Sequence, residues 1–272
     1  MASGPDTIEI KSWGDFANSV PAFQGNDDPL EDRYIYRGQG DTTWDLIPSL
    51  TRYGKKLNLT HQRLHAIECE ALIEFRKHAH LFLPSSKIHP EDEVSAWWLL
   101  MQHHGASTRI LDWTFSPYVA LYFAVEHRSD IDGALWVVHI KTVEDYMKRT
   151  FHNFGHPQED ERGHYLNPNP DNKLYVLRPG TQTERMGAQQ TVFAISTNVL
   201  ANHGEIFTNA APDTREIHTF TKFVVPGPLK QEFKRRLREM NIGARVLFPG
   251  IDGLGRATAE LIDTACNWGI EK

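Results

Sequence analysis

The stretch QHHGASTRILDWTFSPYVALYFA, residues 102–124, decides the fold. Its first residues close a helical pattern at Gly105, and ILDWT then reads as a short strand. Ser116 has the chemistry of an N-cap and Pro117 that of a first helical residue, so Val119 to Val125 are expected to form a largely buried helix. A bland core element has no need of Arg109, Asp112 and Thr114 among apolar neighbours. The junction is therefore read as one wall of a nucleotide pocket, with YIYRGQG at residues 34–40 as the other.

Working outward, residues 8–20 read as a short strand and a helix, and DRYIYRGQG as an alternating strand that ends at Gly38 and Gly40. Leu64, Ile67, Ala71, Leu72, Phe75 and Ala79 recur at helical spacing, which predicts a helix over about 60–82, stopped by Pro84. A second helix is expected to begin near Glu91, Asp92 and Glu93, acids that suit a helix N-terminus, and to carry Val94, Trp97, Trp98 and Met101 on one face. GALWVVHI, 133–140, reads as a central strand apolar on both faces. QQTVFAIS and TKFVVP add strands, and PLKQEFKRRLREMNI an amphipathic helix with Leu229, Phe233, Leu237 and Met240 inward. A final helix is expected over about 253–268. The expectation is one α+β domain over residues 1–272, with a helical insertion at about 55–104 and a loop insertion at about 145–175.

Composition bounds the function. The formal net charge of −6, from 29 Lys+Arg against 35 Asp+Glu, gives no global attraction to nucleic acid. KQEFKRRLRE at 230–239 still concentrates Lys230, Lys234, Arg235, Arg236 and Arg238 on one helix, which reads either as a solvated face or as a guide for RNA or DNA. Two cysteines, Cys69 and Cys266, argue against a disulfide framework and for a cytoplasmic setting. No apolar run approaches the roughly 18 residues that span a bilayer, so no membrane is expected.

Several residue groups have the chemistry of a site, each beside a structural alternative. Tyr36, Arg37, Gly38 and Gln39 stand where a strand gives way to glycines. An arginine there offers a planar fork to phosphate or forms a surface ion pair. Arg109, Asp112, Trp113 and Thr114 orient a ribose or amide group near free helix amides, or else Asp112 caps the helix, Trp113 is core and Arg109 pairs with Asp112. Gln189 and Gln190 open a strand after a charged loop, with Glu184 as the nearest carboxylate. His61, His65 and Cys69 share a helical face and form a rival zinc constellation, though neither HExxH nor CxxC accompanies them. Trp44, Tyr53 and Trp113 are candidates for base stacking.

YRGQ, HHGASTRILDWTFSPYVALYFA, RMGAQQTVF and LFPGIDGLGRAT together resemble the FRG domain, named for its (F/Y)RG motif, over about residues 30–260. The layout is similar to that of ADP-ribosyltransferases, which implies a split mixed sheet with flanking helices and NAD as substrate. By that resemblance Arg37 would hold the diphosphate or adenosine-side ribose, Gly38 the nicotinamide amide, and Thr114 would shape the nicotinamide-ribose pocket. Gln189 or Gln190 stands where transferases carry glutamate. A glutamine anchors a ribose hydroxyl but supplies no charge to an oxocarbenium ion, so Glu184 or Asp112 would have to supply it. The implied activity is ADP-ribosyl transfer to a macromolecular acceptor, RNA, DNA or protein, as by a toxin or phage-defence effector with an antitoxin partner. The alternative is a non-catalytic nucleotide- or nucleic-acid-binding module.

Overall fold

The computed structural model describes residues 4–20, 34–155, 161–167, 170–178, 183–211 and 219–268. Among the described residues seven strands form one open mixed sheet: β1 (Asp6–Glu9), β2 (Tyr34–Gln39), β3 (Ile110–Thr114), β4 (Gly133–His139), β5 (Leu174–Leu177), β6 (Thr191–Ser196) and β7 (Phe220–Val225), in the order β1-β7-β4-β2-β3-β6-β5. Only β1 and β7 run parallel; every other neighbouring pair is antiparallel. β4 is buried along its whole length and lies between β2 and β7, as its unbroken apolar run requires.

The sheet has a seam. β2 and β4 pair over six residues and β3 and β6 over five, yet β2 meets β3 at a single pair, Tyr36↔Thr114. Beyond that pair the two strands lose their register, and Arg37 to Gln39 no longer face a β3 partner.

Helix α5 (Pro117–Val125) is seated against β2 as its sequence demands. The Ser116 hydroxyl accepts from the Val119 amide, Pro117 occupies the first turn, and most of the helix is buried. A Cβ on Gly38 would strike the Ala120 carbonyl, and one on Gly133 the Ala124 carbonyl. Both glycines therefore let α5 lie directly on the strands, which is a packing reason for the RG pair. Beside α5 on this face lie α1 (Trp13–Ser19) and α10 (Lys230–Glu239), which contribute Phe16, Phe233 and Leu237 to the same core. Further along the same face, over β3, β6 and β5, a second core gathers Leu72 and Ala79 of α3 (His61–Ala79) with Trp97, Trp98 and Met101 of α4 (Val94–His103). The opposite face is covered by α6 (Ile140–Thr150) and α9 (His203–Ala210).

Several expectations are corrected. The second long helix begins at Val94, so Glu91, Asp92 and Glu93 precede it and do not form its first turn. The presumed loop at 145–175 contains the end of α6, the short α7 (Glu161–Tyr165) and edge strand β5, while residues 156–160 and 168–169 lie outside the described residues. In α10, Met240 is exposed and Lys230 is fully buried, its ammonium donating to the Gly40 and Arg128 carbonyls. A lysine capping two buried carbonyls does what no apolar side chain could, and the hydrophobic period alone gives no hint of it. No described helix is long and apolar enough to cross a membrane.

Candidate functional site

On the α5 side of the sheet, the two helical groups part over β3. Side chains alternate along a strand, so Ile110, Asp112 and Thr114 all face this side. Ile110 joins the α3–α4 core and Thr114 is buried, leaving Asp112 as the one exposed residue of β3. Asp112 is thus open to solvent while protein surrounds it. Burial pushes its carboxyl above the ordinary range, opposed by the charges of Arg37 and Arg185 and by the Gln102 amide, which donates to Oδ1 at 2.7 Å. Gln102 is itself held by the Thr108 hydroxyl.

Arg37 crosses the seam. Its Nη1 donates to the Asp112 carbonyl, while its Nε is enclosed without a hydrogen-bond partner. Burial works against its charge, yet a guanidinium's ordinary value is so high that Arg37 stays protonated at neutral pH. Its neighbour His203 is pushed down to about 3, first by burial and then by the Arg37 charge, so that imidazole is neutral.

A cleft of about 1740 Å³ reaches Ile110 and Phe115 at the two ends of β3 without taking in Asp112, and is lined by Leu100 and His103 of α4, by His104, by Glu184 and Arg185 of α8 (Glu184–Ala188), and by residues around Phe248. α8 begins with the Thr183 hydroxyl accepting from the Met186 amide. Phe248 ends the short α11 (Ala244–Leu247), and the chain turns at Gly250, φ +100°, into α12 (Ile251–Trp268). A Cβ on Gly253 would strike the Phe248 carbonyl. That close approach brings Arg256 back over the Phe248 ring at 4.1 Å, where Arg185 also lies at 4.8 Å.

Residues 32–133 match the family model of the FRG domain. Over that stretch the chain is similar to the FRG domain. The match is narrower than the resemblance read over about residues 30–260, and within it lie Arg37, Gly38, Asp112 and Thr114 together with α3, α4 and α5. No curated protein and no solved structure matches the chain.

Several residues expected to bind a cofactor are tied into the framework of the fold. Tyr36 is fully buried under α5. Gln39 is buried, donating to the Asp45 carbonyl and accepting from the Trp136 indole. Trp113 points to the opposite face, packs edge-on against Phe207 and is unavailable for stacking a base. The Thr114 hydroxyl donates to the Gln189 carbonyl at 2.7 Å and accepts from the Ser116 amide. It fastens two turns and is buried.

Arg109 pairs with Glu68 of α3, not with Asp112. Both side chains are buried; Arg109 also donates to the Ser196 and Thr197 carbonyls and lies over the Trp98 ring at 4.7 Å. It joins α3 and α4 to the sheet. The zinc constellation fails in the same place: the His65 ring bonds the Leu166 carbonyl, His61 bonds Asn198, and no three potential metal-binding side chains converge among the described residues.

The Gln189 side chain is tied to the framework as well. Gln189 caps α8 and its amide donates to the Leu247 carbonyl, while Gln190 turns the chain at φ +47° and its carbonyl accepts from the Phe115 amide. Glu184 does line the cleft. On α10 the basic residues are engaged: Lys234 with Asp263, Arg235 with Glu239, Arg236 with Glu232 and Arg238 with Thr264. Arg238 meets only a neutral hydroxyl, but the pairing of Lys234, Arg235 and Arg236 weakens the field that would guide a nucleic acid. Sequence reasoning passed over Gln102, Arg185 and Arg256. All three stood inside or beside quoted motifs, but their roles depend on Phe248 and on the seam, which no local pattern encodes.

Proposed function

We propose that this chain is an NAD-consuming, ADP-ribosyltransferase-like enzyme that works in the cleft beside the β2–β3 seam. The observation that supports this reading is Asp112: an exposed carboxylate on the α5 side of the sheet, held by Gln102 and within the influence of the cations Arg37 and Arg185. In the proposed reaction the bond between C1′ of the ribose and the nicotinamide nitrogen breaks, its electron pair leaving with nicotinamide. Positive charge then develops on C1′, and a fixed carboxylate stabilises it. The acceptor's nucleophile bonds to C1′ and gives up its proton to a carboxylate, Asp112 or Glu184. In this reading Arg37, which leaves β2 on the α9 face and reaches the seam at the Asp112 carbonyl, orients a phosphate with the donors that carbonyl leaves free. The acceptor is a macromolecule, RNA, DNA or protein, and such chemistry would suit a toxin or phage-defence effector restrained by an antitoxin.

The purified chain, incubated with labelled NAD and cell lysate, is expected to release nicotinamide and label an acceptor. Asp112→Asn should lower that rate at least about a hundredfold while leaving NAD affinity within a few fold. Folded protein that neither releases nicotinamide nor transfers label sinks the reading.

The second reading is a non-catalytic nucleotide-binding module. It is favoured by Gln189, whose amide is committed to Leu247 and brings no charge to the cleft. Binding of NAD by calorimetry with no turnover would select it.

A further inference from the structure

Arg185 and Arg256 reach the same ring from elements remote in sequence. One comes from α8 and the other from α12; both line the cleft, and both lie against Phe248. Among the described residues neither forms an ion pair or a hydrogen bond, which sets them apart from the arginines of α10 and from Arg109. Glu184 and Asp252 also line the cleft, and among the described residues neither forms an ion pair with either guanidinium. Burial and the charge of Arg256 work against protonation of Arg185, with Asp112, Asp252 and Glu126 attracting it at longer range. Two like charges are thus gathered on one ring and left without a counter-ion in contact.

A guanidinium stacked on an aromatic face keeps its N–H edge free, and that edge fits phosphate oxygens two at a time. Two such edges in one cleft suit two linked phosphoryl groups. We propose that Arg185 and Arg256, carried on Phe248, form an anion clamp for a diphosphate. Identifying its ligand as the diphosphate of a nucleotide rests on the proposed function, whereas the clamp itself does not. Gln189 acts as a positioning residue here, because its bond to Leu247 holds α8 beside α11 and so Arg185 beside Phe248.

The test is titration calorimetry of the full chain with inorganic pyrophosphate and, separately, with ADP. The wild-type chain is expected to bind both, and Arg185→Ala and Arg256→Ala each to weaken both by about tenfold or more. Arg256 is exposed and unbonded, so Arg256→Ala should melt like the wild type and serves as the variant that cannot fail merely by unfolding. Arg256→Lys should recover little, since an ammonium lacks the fork. Tighter binding of ADP than of pyrophosphate assigns the clamp to a nucleotide, and equal binding assigns it to a free diphosphate. A wild type that does not bind pyrophosphate, or an Arg185→Ala/Arg256→Ala protein that binds it unchanged, overturns the clamp even if NAD is still consumed. Loss of pyrophosphate binding in the variants upholds the clamp even if the wild type releases no nicotinamide.

Discussion

The Gln189 side-chain amide donates to the Leu247 carbonyl at 2.9 Å, while the Gln189 carbonyl accepts from the Thr114 hydroxyl. One residue thereby ties the end of β3 to α11 and to the turn that carries Phe248. Gln189→Ala should cost about 1 kcal/mol, the usual worth of one such bond, as read by urea denaturation. Gln189→Glu should cost more, because it sets a carboxylate against a carbonyl and removes the donor. A Gln189→Glu protein that is as stable as wild type and turns over NAD faster would mean that this side chain serves catalysis.

Gly38 is constrained by α5, so Gly38→Ala should act on the fold before it acts on any ligand. The added methyl would strike the Ala120 carbonyl, a backbone atom that moves only with its helix. A loss of about 1–3 kcal/mol or more in stability is expected. Unchanged melting together with lost NAD binding would return Gly38 to the role of a ligand contact.

The Arg109–Glu68 pair is buried on both sides. Glu68→Ala should destabilise the chain by about 3–5 kcal/mol, because it leaves a guanidinium enclosed without its carboxylate. Replacing both residues with apolar ones of similar volume should recover much of that loss. Chemical denaturation of the two single variants and the double variant measures the difference; additive losses would contradict the pairing.

Glu126, at the end of α5, is raised to about 7 from an ordinary 4.5, chiefly by burial; Arg256 opposes the shift and Glu260 adds to it. The groups facing it are Tyr122, which donates to Glu260, His127 at 3.4 Å, Lys234, Arg256 and Glu260. Between pH 4.5 and about 7 the folded chain keeps a proton that the unfolded chain has released. Its contribution to stability is therefore full at acid pH and falls as pH rises through that window. Glu126→Gln stays neutral, should lack this slope, and should be the more stable protein at pH 8 by on the order of 1–3 kcal/mol. Thermal melts of both proteins from pH 4 to pH 8 check it; parallel curves would refute it.

Local chemistry made several elements legible in the amino-acid sequence. A serine two residues after ILDWT, followed by proline and an apolar run, specifies the strand, the cap and α5, because each step depends only on near neighbours. The same holds for the period of α3 and for the buried run of β4. Residues 32–133, which match the FRG domain model, include the strand, the cap and α5. Only the tertiary structure decided what the polar residues do. Arg109 and Asp112 are three positions apart, yet Arg109, just ahead of β3, enters a buried pair with α3, while Asp112, within the strand, is left exposed. Arg185 and Arg256 meet only because Gly250 and Gly253 fold α12 back over Phe248 and Gln189 holds α8 beside it. Backbone preference acts over a few residues and is written locally. The partner of a charged side chain is chosen by which distant segments the packed core brings together, and no window along the chain contains it.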